Sequence, residues 1–315
     1  MVRRSAQGNE GEDEGDTMTE GLSDTARMQA SVATRVRAGA LRMRRDIVEM
    51  IGAAGSGHPG GSLSAVDIVA TLYLGGILRH KPDDPSWPER DRFILSKGHA
   101  APVLYAALAE AGYFERTHLK TLRKLGSILQ GHPDCKKTPG VEVSTGSLGQ
   151  GLSVAAGLAA GLARAQDVRP AAYNTRTVFV LLGDGELQEG QVWEAAMFAA
   201  HQGLGNLVAI VDNNGLQIDG ACNDVMSLGS LADKFTAFGW EVIEVDGHDV
   251  ESLYAVLARA RAHTAGPVAV LAHTVKGKGV SFMENEAGWH GKAPSDAQVA
   301  EALRELPIAE EKGIQ

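Results

Sequence analysis

The stretch LLGDGELQEG, residues 181–190, decides how this chain is read. An apolar run, TVFVLL (177–182), stops at Gly183, Asp184 and Gly185, and two acids, Glu186 and Glu189, follow. A second apolar run, NLVAIV (206–211), also stops in short polar residues: Asp212, Asn213 and Asn214. Gly, Asp and Asn are common turn formers, so either turn alone would be ordinary. Two such turns, each closing a buried strand and thirty residues apart from Asp184 to Asn214, are a stronger signal.

Around this pair the sequence alternates between strand and helix. After the helix expected over 189–201 come NLVAIV, a helix near 229–238, WEVIEV (240–245), a helix over 250–263 and PVAVLAHT (267–274). Such alternation predicts an α/β fold, a parallel sheet with helices on both faces. In the helix after Asp249, Val250, Leu253, Val256, Leu257 and Ala260 share one face, as a sheet-covering helix requires. Upstream, Val32, Val36, Ala40, Met43, Ile47, Met50 and Ile51 predict a helix over 26–54, ended by GSGHPGG. A further helix is expected over 64–75, and RFIL (92–95) reads as a short buried strand delivering SKGH. In GLSVAAGLAAGLARA (151–165), Gly157 and Gly161 lie four apart on an Ala-rich face and admit close approach of another backbone.

Composition narrows the function. Residues 1–24 hold two Arg against seven acids, so most of the formal charge of −9 sits there. That segment is expected to be a disordered acidic tail, with Met18 a possible alternative start, followed by the folded domain over 25–315. The body is close to charge balance, which argues against a nucleic-acid surface. No run approaches the ~18 apolar residues that span a bilayer, and no signal-peptide core precedes the fold. Cys135 and Cys222 show no metal-site spacing or disulfide density, so a reducing, cytoplasmic setting is expected.

Ligands of open parallel sheets bind beyond the carboxyl ends of the strands. Asp184 and Asn214 both fall there. A carboxylate and an amide oxygen, completed by a backbone carbonyl, suit a hard octahedral ion such as Mg²⁺ that keeps positions for phosphate. Gly183 and Gly185 let the backbone approach that phosphate closely.

Gly-Asp-Gly followed by Asn at this spacing resembles the binding signature of thiamine diphosphate enzymes. SGHPGG, LSKGHA, GHP, PGVEVSTGSLGQG and GDGELQEGQVWEA, in this order, are similar to the amino-terminal, diphosphate-binding domain of transketolases, over nearly all of 30–300. The resemblance implies the thiamine diphosphate-binding fold and, for cofactors, thiamine diphosphate and Mg²⁺. It implies that Asp184, Asn214 and the carbonyl of Leu216 hold the metal. Gly183, Gly185 and Glu186 would lie near the diphosphate, and Gly146, Ser147 and Leu148 would line the cofactor, Ser147 standing where many transketolases have Pro. His99 and His290 would touch the diphosphate and the donor sugar's first hydroxyls. His58 and His132 would contact substrate and assist proton transfer, as an imidazole can near neutral pH. KGKGVSFMENEAGWHG differs from the usual approach to the His290 position. Glu189, with Glu194, would lie at a subunit interface linking two active sites. His80, His118, His201, His248, His263 and His273 are read as ordinary surface or packing residues.

Thiamine diphosphate enzymes also need a glutamate at the aminopyrimidine, which the family carries on a second domain, and SDAQVAEALREL reads as the helix leading into it. The expectation is therefore the amino-terminal subunit of a split transketolase. It would be active only with a separate chain bearing the pyrimidine-binding and carboxyl-terminal domains, as α2β2, on sugar phosphates. The enzyme alternatives are the α subunit of a 2-oxo acid dehydrogenase, which has no need of the SGHPGG and SKGHA histidines, an acyloin-forming thiamine enzyme, and a deoxyxylulose phosphate synthase, normally a longer chain. A noncatalytic partner-binding module is the alternative from another class.

Overall fold

The computed structural model describes residues 24–168 and 176–307. The acidic stretch before Asp24 lies outside them. Helix α1 (Asp24–Ala54) begins two residues before the expected start. Val36, Ala40, Met43, Ile47, Met50 and Ile51 are buried along it, and Val32 packs at the edge of the same cluster. Gly55 follows at φ +61°, a left-handed step that ends the helix.

The helix expected over 64–75 spans Val66–Leu74, and a further short helix precedes it. Pro59 begins α2 (Pro59–Ser64), and α3 (Val66–Leu74) follows after Ala65. The GHPGG stretch is therefore a helix start as well as a helix stop. Pro at the first helical position has its φ preset and loses no bond, because that N–H would have no helical partner.

The chain continues through β1 (Arg92–Leu95), α4 (Ala101–Glu110), α5 (Gln150–Val168), β2 (Val178–Gly183), α6 (Gly190–His201) and β3 (Leu207–Asn213). A small hairpin of β4 (Leu216–Gln217) and β5 (Gly220–Ala221) leads to α7 (Cys222–Met226) and α8 (Leu231–Ala237). Then come β6 (Glu241–Asp246), α9 (Val250–Ala262), β7 (Val268–His273) and α10 (Asp296–Glu305). Asp249 caps α9 by accepting from the backbone N–H of Glu251 and Ser252, and Ser295 with Gln298 forms a capping box on α10.

Five parallel strands form one sheet in the order β1-β2-β3-β7-β6. The chain steps one way from β1 to β3, crosses to β6 at the far edge, and returns to insert β7. Right-handed crossovers then place helices on opposite faces for the two directions of travel. One face is covered by α1, α3, α4 and α9, the other by α5, α6 and α8. β2 and β3 are buried along almost their whole length, as strands covered on both sides must be. No helix among the described residues is long and apolar enough to cross a membrane.

Candidate active site

Because the strands are parallel, their carboxyl ends share one edge of the sheet, and a cavity of about 240 Å³ opens there. β1 delivers Lys97 and His99, and β2 delivers Gly183, Asp184, Gly185 and Glu186. β3 leads to Asn214, Leu216, Gln217 and Ile218, and β7 to Lys276. Gly146 and Leu148 precede α5, while His58, Gly61 and His290 complete the wall. The loops pack tightly: a Cβ on Gly98 would lie 2.8 Å from the backbone nitrogen of Gly146.

Asp184 accepts from the backbone N–H of Gly185 (2.8 Å) and of Gly215 (2.6 Å). Burial, followed by the charge of Asp212, still raises its pKa, so a cation beside it would be favoured. Asn214 Nδ2 donates to Asp212 Oδ2 (3.1 Å), which fixes the amide and leaves its oxygen to accept from the N–H of Leu216 (3.1 Å). The carbonyl of Leu216 accepts from Lys276 Nζ (3.0 Å). Carboxylate, amide oxygen and carbonyl thus all belong to one cavity, and these hard donors fit Mg²⁺. Among the described residues there is no group of three His, Cys, Asp or Glu placed to hold an ion.

Beneath lies Asp212, fully buried, which accepts from Lys97 Nζ, Ser64 Oγ and Thr274 Oγ1 as well as from Asn214. Burial alone would raise its pKa; Lys97 and the two hydroxyls outweigh that and hold it below the usual range. Glu186 accepts from Ser96 Oγ and from the N–H groups of Gly149 (2.9 Å) and Gly183 (3.1 Å), tying β1, the start of α5 and β2 together. Burial keeps its pKa raised despite those donors.

Three imidazoles form one cluster. The ring centroids of His99 and His290 lie 4.9 Å apart, and those of His58 lie 5.3 Å from His99 and 5.5 Å from His290. Burial is the largest cause in each case and lowers His58 to about 4, His99 to about 2 and His290 to about 3, with the neighbouring cations adding to it. At neutral pH each ring is uncharged, with one N–H donor and one acceptor. Lys276 Nζ also lies 3.1 Å from His290 Nδ1, and burial lowers its pKa to about 8. His58 Nδ1 and Gln217 Nε2 are buried without a protein partner. Two lysines, an unpartnered amide donor and a glycine-rich turn suit a diphosphate, whose oxygens accept from all of them.

The remaining expected residues fall at the margin. Ser147 is exposed and absent from the cavity wall; its carbonyl accepts from the N–H of Gln150 at the start of α5. His132 is exposed beside Gly146, where a Cβ would meet its ring at 3.1 Å. Glu189 and Glu194 are exposed at the start and on the outer face of α6. Lys97, Lys276, Gln217 and the buried Asp212 were missed by sequence reasoning. Lys97 stood inside the SKGH already singled out, and its place after a buried strand was the available signal.

A family model described as "Transketolase, thiamine diphosphate binding domain" matches residues 35–313. The chain is 43% identical over 264 residues to the 6-deoxy-6-sulfo-D-fructose transketolase subunit SqwG of Clostridium sp. (strain MSTE9), covering 84% of this chain and 93% of that one. It is 44% identical over 269 residues to one of the subunits of the apulose-4-phosphate transketolase of Phocaeicola vulgatus, covering 85% and 92%. Against human transketolase it is 44% identical over 262 residues, 83% of this chain but 40% of the other. The solved transketolase of Leishmania mexicana superposes with a TM-score of 0.82 at 33% identity, covering 88% of this chain and 42% of that one. Matched along most of its length and most of theirs to proteins named as transketolase subunits, the chain belongs to the transketolase family as an amino-terminal, thiamine diphosphate-binding subunit.

Proposed function

We propose that the chain binds thiamine diphosphate through Mg²⁺ and works with a separate subunit bearing the pyrimidine-binding and carboxyl-terminal domains. Together they transfer a two-carbon ketol unit from a ketose phosphate donor to an aldose acceptor. The single observation that carries this reading is the cluster of three uncharged imidazoles on the wall of a cavity equipped for Mg²⁺ and diphosphate. The cofactor, when bound, supplies a carbon nucleophile and an electron sink for cleavage beside the ketose carbonyl. Asp184, Asn214 and the carbonyl of Leu216 would hold the metal, and Lys97, Lys276 and the backbone after Gly183 would receive the diphosphate. His58, His99 and His290, with His132 at the rim, would grip sugar hydroxyls and pass protons, since a neutral imidazole both donates and accepts.

Two surface features support the assembly. Val154 on α5 and Met197 and Phe198 on α6 are exposed, beside Gly157 and Gly161, which have open space above them. That strip would pair two copies in an α2β2 enzyme, with Glu189 and Glu194 at the seam. Ile218 on the cavity wall and Val225 and Met226 on α7 expose apolar surface, where the partner subunit would dock. The free thiols of Cys135 and Cys222 support a cytoplasmic setting.

The test is native mass spectrometry of the protein purified gently with Mg²⁺ and thiamine diphosphate, followed by donor assays on the complex recovered. Turnover of ketose phosphates by a complex holding a second, co-purifying chain is expected. Turnover of 2-oxo acids alone would replace this reading with an acyl-transferring dehydrogenase, and a complex that turns over neither would make the chain a binding module.

A further inference from the structure

Lys276 reaches the cavity from a turn whose backbone is gripped at both ends by side chains outside the cavity wall. His248 Nε2 accepts from the N–H of Val275 (2.8 Å), and Arg44 Nε donates to the carbonyl of Lys278 (3.2 Å). Both grips end on one carboxylate. His248 Nδ1 lies 2.8 Å from Asp67 Oδ2, and the two terminal nitrogens of Arg44 donate to Asp67 at 3.0 and 2.6 Å. A backbone amide can only donate, so Nε2 carries the lone pair and Nδ1 carries the proton directed at Asp67. Burial would raise the pKa of Asp67, but His248 and Arg44 outweigh it and hold the carboxyl below its ordinary range.

The three side chains come from α1, α3 and the turn between β6 and α9, and each is largely shielded from water. The turn they hold is itself closely packed. Gly277 adopts φ +79°, and a Cβ there would lie 2.2 Å from the carbonyl of Met283. A Cβ on Gly279, at φ +96°, would lie 2.9 Å from Arg44 Cδ. The N–H of Gly277 donates to Gly60 (3.0 Å) and that of Asn285 to Lys276 (2.9 Å), so the backbone around Lys276 is bonded from four directions.

We propose that His248, Asp67 and Arg44 form a clamp that fixes the Lys276 turn, making His248 and Arg44 positioning residues for an anionic group in the cavity. The proposal rests on the reading that the cavity takes a diphosphate. A lysine side chain loses much rotamer freedom when it is ordered, so a backbone already held in place removes part of the loss that binding would otherwise add. Partners that orient metal ligands from behind commonly change affinity roughly 10-fold to 100-fold, and the lower end of that range is expected here.

Two substitutions split the histidine ring into its two roles. His248→Gln keeps an acceptor near the Nε2 position, whereas His248→Asn keeps a donor toward Asp67 and leaves the N–H of Val275 without a partner. Titration calorimetry with Mg²⁺ and inorganic pyrophosphate should show about a tenfold loss for His248→Asn and little change for His248→Gln. In parallel, the rate of Lys276 acetylation by a water-soluble reagent, read by peptide mass spectrometry against Lys234, should change in His248→Asn and not in His248→Gln. Equal losses in both variants, tracking an equal fall in melting temperature, would mean a structural staple and overturn the proposal; so would full affinity and unchanged labelling in His248→Asn. If the unmodified protein binds no pyrophosphate, the diphosphate reading of the cavity fails, and the Lys276 labelling still decides the clamp. Should His248→Asn not fold, Arg44→Lys, which lacks the nitrogen that reaches Lys278, is expected to give the same affinity loss and labelling change.

Discussion

Lys97 donates to Asp212 beneath the cavity floor, with their side chains only 2% and 0% exposed. Removing one member leaves an uncompensated charge away from water, so Lys97→Met is expected to cost about 3–5 kcal/mol of unfolding free energy. The double variant Lys97→Met with Asp212→Asn should recover part of this loss, because neither charge then remains. Urea denaturation of the set checks it; a single-variant loss under about 1 kcal/mol would show that the pair contributes little.

Asp184→Ala should separate stability from binding. Its carboxylate is held at a raised pKa chiefly by burial and by Asp212, so removing it relieves a local penalty even as two backbone N–H groups lose an acceptor. The melting temperature without ligand should stay close to that of the unmodified protein. The upward shift on adding Mg²⁺ and thiamine diphosphate, present in the unmodified protein by mass action, should vanish. An undiminished shift in the variant would remove Asp184 from the metal site.

The histidine cluster sets a pH dependence. Free imidazoles take up protons near 6.5, whereas His58 does so at about 4, His290 at about 3 and His99 at about 2 in the folded chain. Between pH 6.5 and 4 the unfolded state therefore binds more protons from these groups, and their contribution to stability falls as the pH falls. The melting temperature should drop through this window, and His99→Gln, which cannot titrate, should flatten the drop. Equal slopes for both proteins would contradict the burial assigned to His99.

Glycine replacements should divide by location. Gly277→Ala forces a left-handed residue and a backbone clash, and is expected to cost about 2–4 kcal/mol. Gly157→Ala meets open space on α5 and should raise the chain's own stability by up to about 1 kcal/mol through helix propensity. Met197→Asp on the neighbouring α6 face should leave the fold intact and weaken self-association, which sedimentation velocity would measure. A Met197→Asp complex of unaltered size would place the contact between copies elsewhere.

The periodicities that mark strands were enough to read the sheet. TVFVLL, NLVAIV, WEVIEV and PVAVLAHT are all strands, because long apolar runs between turn residues leave few alternatives. Asp184 and Asn214 could be placed because two such turns close buried strands thirty residues apart, and His58, His99 and His290 because the stretches that hold them resemble those of transketolases. Residues acting from below were not legible. Asp212 looks like a third turn residue beside Asn213 and Asn214, Lys276 like a surface lysine and His248 like a loop histidine. Their importance arises from burial and from partners distant in the chain, such as Leu216 for Lys276, Lys97 for Asp212 and Asp67 for His248, which no local pattern records. Helix α2 escaped for another reason: its Pro and two Gly read as a helix stop, and only burial on every side holds so short a helix.

The cavity wall is drawn from separate stretches lying between His58 and His290. Such contacts close large loops, and their entropy is lost before the pairing is rewarded, so the pocket should form among the last events of folding. Refolding followed by a pocket-binding probe should then lag behind the recovery of helical signal, and cofactor capture would report completion of the whole chain. The nascent protein would present nothing to cofactor until the segment carrying His290 had been made.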